Sequence, residues 1–159
     1  MKYILFFLAL CVPAFAGAQD PIANSVAAIQ KKDGDKAVAA FIDAVNVNIR
    51  PECRNMLVPI LAAVRYAENG RAGREYGVLH PKALGKSYRT QAGWSAATIQ
   101  KQYDRYCKAG GDAKDVAAYL VSLRDRYCPI GAENDPTGLN SHWLGNVSKF
   151  RLRFVKGRK

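Results

Sequence analysis

At 159 residues, 49% of them hydrophobic and 23% charged, the chain has material for one domain with a real core and little beyond it. Its 24 Lys and Arg against 13 Asp and Glu give a net charge of +11, a surface suited to anionic polymers. Internal repeats and low-complexity tracts are absent from the sequence, which excludes solenoids and fibrous arrays.

In chain order, Met1-Lys2 carries one positive charge. An apolar run from Tyr3 to Phe15 follows, then the small residues Ala16-Gly17-Ala18. This pattern predicts a signal peptide over residues 1–18, too short for a comfortable membrane span. No later segment is apolar enough to cross a membrane, so the mature protein is expected to be exported, periplasmic or extracellular, and monomeric. That compartment offers few nucleic acids but many anionic envelope polymers, among them peptidoglycan carboxylates, teichoic acids and phospholipid head groups. Cys11 leaves with the leader, and Cys53, Cys107 and Cys128 remain. An odd count in an oxidising compartment allows one internal disulfide and one spare thiol. The three lack the spacing and histidine partners of a zinc site, so neither metal nor other cofactor is expected.

Helical periodicity then predicts Asp20–Lys32, with Ile22, Val26 and Ile29 on one face, closed by Asp33-Gly34-Asp35. A second helix runs from Asp35 to about Asn48 on the stripe Val38, Phe41, Ile42 and Val45. Pro51 stops it, and Glu52 opens a third helix that ends at Glu68 and should kink at Pro59. Residues 69–91 hold many glycines and read as loops or a small hairpin around Tyr76 to Leu79. Gln91–Lys108 is the next helix, closed by Gly110-Gly111. Asp112 then caps a helix with the stripe Val116, Tyr119, Leu120, Leu123 and Tyr127. A loop from Cys128 to Thr137 precedes a last helix carrying Leu139, Trp143, Val147 and Phe150. From Lys149 onward, cations alternate with apolar residues, as in an edge strand or a surface-binding tail. The fold class is mainly α, with a small β-hairpin or irregular segment. Its divisions are the leader (1–18), an N-terminal helical segment (19–50), a main helical domain (51–150) and a basic tail (151–159).

Glu68 shares a helical face with Val64, Leu61 (or Ile60) and Leu57, so a carboxyl sits on an apolar stripe where the helix opens into a glycine-rich loop. Partial desolvation raises such a pKa, and a carboxyl still protonated near neutrality suits donation to a glycosidic oxygen. Glu75 is the other carboxylate of that loop, either a base or the partner of Arg71 or Arg74. Asp135 follows Asn134 and precedes Pro136, a context for substrate contact or for turn and cap formation. Tyr127 is either a partner of the acid or a core residue, and Trp94 and Trp143 either stack on sugars or fill the core. His80 is either a substrate contact or a surface residue, and His142 has no partners that would make a triad. The Gly70, Gly73 and Gly77 spacing follows a helix rather than a strand and is no nucleotide fingerprint.

The elements Glu68-Asn69 and Gly77-Val78-Leu79-His80 resemble the lysozyme-like superfamily, in particular lytic transglycosylases and bacterial or phage glucosaminidases. There a helix ends in a catalytic Glu, and a Gly-Leu-Met-Gln-like stretch lines the sugar groove. The segment from Tyr127 to Trp143 is similar to the loop and final helix of glucosaminidase-like phage proteins. Asn69 stands where the family has Ser, His80 where it has Gln, and the Ala-Tyr-Asn-Ala-Gly motif is absent. The resemblance implies a peptidoglycan-cleaving glycosidase with Glu68 as general acid and Glu75 as second carboxylate. It also implies Tyr76, Gly77, His80, Tyr127, Asn134, Asp135 and Trp143 along the substrate groove. A second expectation, from charge alone, is a non-catalytic secreted protein that binds anionic wall polymer or an envelope partner. Cys53 lies about 22 Å from Glu68 along its helix. An alternating bundle returns Cys107 to the same far end, so a Cys53–Cys107 disulfide is expected, with Cys128 free beside the groove.

Overall fold

A computed structural model describes residues 20–157 apart from Asn69 and Asn134. The expected leader and the substrate role assigned to Asn134 lie outside the described residues. The chain forms α1 (Pro21–Asp33), α2 (Asp35–Asn48), a 3-10 turn (Pro51–Cys53), α3 (Arg54–Ala67), α4 (Tyr88–Lys108), α5 (Val116–Tyr127) and α6 (Asn140–Lys156). The fold is mainly α.

α3 is the central helix. Every residue from Leu57 to Arg65 is buried, as expected of a helix that is apolar nearly all round. α1, α4 and α6 pack against it. α3 runs through Pro59 without ending, and the short 3-10 turn before it absorbs the change of direction after Pro51. α1 begins with Asp20 accepting from the Ile22 N–H at 2.8 Å and with Pro21 in the first turn. It hands over to α2 through the single residue Gly34, whose φ of +83° suits glycine. α2 lies along α4, with small residues buried on both helices (Ala37, Ala40 and Ala44; Ala92, Ser95 and Ala96) and Arg89 of α4 paired with Asp43 of α2. Of the expected stripe, Phe41 and Val45 are buried and Val38 packs against the core, while Ile42, at its edge, is exposed.

Three boundaries differ from expectation for local reasons. α4 starts at Tyr88 because Ser87, not a residue nearer Gln91, accepts from the Thr90 N–H. α5 starts at Val116, capped by Asp115 at 2.9 Å from the Ala118 N–H, while Asp112 instead holds a turn through the Lys114 N–H. The stretch expected as an edge strand or free tail is helix as far as Lys156. Trp143, Val147, Phe150 and Phe154 recur at helical spacing against α3 and Tyr66, and this longer period outweighs the short alternation.

Residues 70–87 form turns, with no strand among the described residues in place of the hairpin alternative. No helix among them is long and apolar enough to cross a membrane. The expected Cys53–Cys107 disulfide is not formed, and Cys53, Cys107 and Cys128 are all free thiols. Cys53 and Cys107 do approach a common neighbour, Tyr103. Cys53 Sγ accepts from Arg50 and Gln100 at 3.7 and 3.9 Å, whereas the Tyr103 hydroxyl donates to the Ala113 carbonyl at 3.3 Å.

Candidate active-site cleft

α3 and α5 end at the same pole of the molecule, where α6 begins, and a cleft of about 830 Å³ opens between them. Its base is Glu68, the residue that ends α3, with its backbone N–H still bonded to the Val64 carbonyl. The indole N–H of Trp143, from the first turn of α6, donates to Glu68 Oε1 at 2.8 Å. Burial raises the carboxyl above its ordinary pKa, and the Trp143 hydrogen bond opposes that shift without cancelling it. The other oxygen lies against Gly77: a Cβ there would sit 2.1 Å from Glu68 Oε2. Gly77 also has φ +66°, so conformation and space both call for glycine.

The loop that carries Gly77 is held by buried polar groups. Gln91, fully buried on α4, donates to the Val78 and Ala83 carbonyls at 3.0 and 2.8 Å and accepts from the Val78 N–H at 3.3 Å. Its amide thereby satisfies backbone groups that form no sheet. A second tether starts at the bidentate Arg65–Asp33 pair, 2.6 and 2.8 Å, between α3 and α1. The Tyr88 hydroxyl donates to Asp33 at 3.0 Å, and Tyr76 shares a 3.0 Å hydrogen bond with Tyr88. Tyr127, at the end of α5, donates to the Tyr76 carbonyl and bonds Ser95 Oγ at 3.0 Å. These bonds tie four helices to one loop beside Glu68.

The opposite wall comes from the α5–α6 connection. Tyr127 stacks on Trp143 with ring centroids 5.5 Å apart and planes at 25°, and burial pushes its phenol well up. Asp135 lines the cleft, but its two oxygens accept from the Leu139 and Asn140 N–H groups at 2.9 Å, so it organises the start of α6. Cys128 donates to Asn140 Oδ1 at 2.8 Å. Burial, then Glu68 and Asp135, push its thiol up to about 12. Arg74 and His142 complete the rim.

The structure thus brings Glu68, Gly77, Tyr127, Asp135 and Trp143 into one cleft and leaves others outside it. Glu75 does not line it. It is buried, its Oε2 has no partner among the described residues, and it pairs with neither Arg71 nor Arg74. Tyr76 is fully buried as a link in the tether rather than a groove contact. His80 is exposed and stacked on Trp94 at 4.5 Å, away from the cleft lining. Sequence reasoning missed Gln91, Ser95 and the Arg65–Asp33–Tyr88 link. Gln91 left one readable trace, a polar residue on the Ala92, Ser95, Ala96 and Ile99 face of α4.

The arrangement presents one carboxyl able to hold a proton at the base of a groove, with one oxygen fixed by an indole. Among the described residues it offers no second carboxylate free to act beside it, since Asp135 is committed to backbone N–H groups. No family model, curated protein or solved structure matches the chain.

Proposed function

We propose that the protein is an exported glycosidase that cleaves β-1,4 linkages in peptidoglycan, with Glu68 as general acid. The observation that carries this reading is the desolvated Glu68 carboxyl at the base of a substrate-sized cleft, oriented by the Trp143 indole. A carboxyl with a raised pKa keeps its proton closer to neutrality and can deliver it to the leaving sugar oxygen as the bond breaks. Activity should therefore decline as pH rises through the Glu68 pKa.

Among the described residues the lining holds no second free carboxylate, which favours a mechanism with a single protein acid. Tyr127 and Trp143 form the wall facing the acid, with the Tyr127 hydroxyl committed to the loop. Arg74 and His142 supply positive or polar contacts toward an anionic glycan, in keeping with the net charge of +11. Glu68→Gln keeps the shape of the side chain and removes the proton donor. It should abolish release of soluble fragments from sacculi while leaving salt-sensitive pelleting with them intact. Pelleting with no fragment release by either form would instead favour the second reading, a non-catalytic binder of anionic wall polymer, for which the net charge alone speaks.

A further inference from the structure

On the far side of α3 a second recess has a different character. Tyr66 precedes Glu68 by two residues, about 200° around the helix, and faces a groove of about 560 Å³ between α1 and α6. Ala28, Tyr66 and Phe154 make its apolar floor, and Lys31, Lys32 and Arg153 stand around it. No acidic side chain lines the groove, and among the described residues none of the three cations has a carboxylate partner. Asp33, the nearest acid in sequence, is taken up by Arg65.

We propose that this groove binds the phosphate head and the first acyl carbons of an anionic phospholipid, seating the protein on a membrane surface. Lys31 and Lys32 lie in the last turn of α1 and Arg153 in that of α6, where cations complement helix dipoles. The dipoles account for a basic residue at each end, but not for two basic ends meeting over an aromatic floor. Tyr66 is fixed there by its hydroxyl, which donates to the Ala28 carbonyl at 2.9 Å, and by its edge contact with Phe154 at 5.2 Å. The Lys32 ammonium lies 4.9 Å from the Tyr66 ring centre. A free phosphate would use the cations and leave the floor wet, whereas a lipid covers both.

Because the whole protein is basic, the test must separate the groove from general attraction. The mature protein is co-sedimented with phosphatidylglycerol and with phosphatidylcholine vesicles at physiological ionic strength. Binding only to the anionic vesicles is expected, and equal binding to both overturns the proposal. Lys31→Ala with Arg153→Ala should weaken it on the order of 20- to 30-fold, about five-fold per cation. The exposed pair Lys101→Ala with Lys114→Ala, outside the groove, should change it by no more than about two-fold. Equal losses from the two pairs would reduce the effect to net charge and sink the site. Ala27→Phe fills the exposed edge of the groove at constant charge and should weaken binding about ten-fold. No change there, or full displacement of vesicles by inorganic phosphate at the headgroup concentration, would overturn the lipid assignment. Glu68→Gln should bind vesicles as the wild type does, which keeps this outcome separate from that of the proposed glycosidase.

Discussion

Tyr66 and Glu68 close the same helix and face opposite ways, one into an open groove ringed with cations, the other into a cleft built around an acid. Both recesses use α6 as a wall. The groove is formed by helices alone, and its polar groups sit at the edge in water. The cleft is formed largely by connections, so its backbone groups need partners, which Gln91, Tyr127 and Asp135 supply. The difference teaches where a carboxyl can be kept desolvated. Helix ends with free cations neutralise an anion, whereas a loop tethered from several helices can hold an acid against apolar surface.

The tether is the largest lever on that contrast. Asp33→Ala leaves the buried Arg65 guanidinium unpaired and should cost about 3–5 kcal/mol in urea unfolding. A cost below about 1 kcal/mol would show that the pair does not anchor the loop. Gly77→Ala comes next, because a methyl at φ +66° also collides with Glu68 Oε2. It should destabilise by about 1–3 kcal/mol and displace the carboxyl, which chemical shifts of labelled Glu68 would report.

Trp143→Phe sharpens the comparison at the acid itself. The indole hydrogen bond lowers the Glu68 pKa against the raising effect of burial, so its loss should move that pKa further up. The alkaline limb of the activity profile should then shift to higher pH. Turnover should fall about 10- to 100-fold as the carboxyl loses its orientation. A limb that moves down would contradict this assignment of causes.

A smaller effect concerns stability. The folded-state pKa of Glu68 is raised, so its favourable contribution is full below the unfolded value and is lost as pH rises through the folded one. Glu68→Gln should therefore melt higher than wild type at pH 7 to 8, with the advantage shrinking on acidification. Smallest of all, the Cys128 thiol, at about 12, should alkylate far more slowly at pH 8 than an ordinary thiol. It should react faster in Glu68→Gln, because Glu68 contributes to its shift.

Much of the helical framework was legible in the sequence, because apolar residues at helical spacing mark α1, α2, α3 and α5 directly. Glu68 was legible for the same reason, as a charge on a greasy stripe. Its hydrogen-bond donor was not, since Trp143 lies 75 residues away and a tryptophan on an apolar face reads as core. Gln91 was hidden by its surroundings: a lone amide among Ala and Ser shows no sign that a loop folds over it. Glu75 misled in the opposite direction, because loop position suggested access to the groove and the turn around it buries the side chain instead. The end of α6 misled through a two-residue alternation that is local, while the set from Trp143 to Phe154 that decides the structure spans three turns.

The most direct test of the central claim is mass spectrometry of the soluble products when purified sacculi are incubated with the wild-type protein and with Glu68→Gln. The account expects disaccharide-containing fragments with a single type of new sugar terminus from the wild type, and none from the variant. Fragments released equally by both, or by neither while both proteins are folded, would contradict the assignment of Glu68 as the acid.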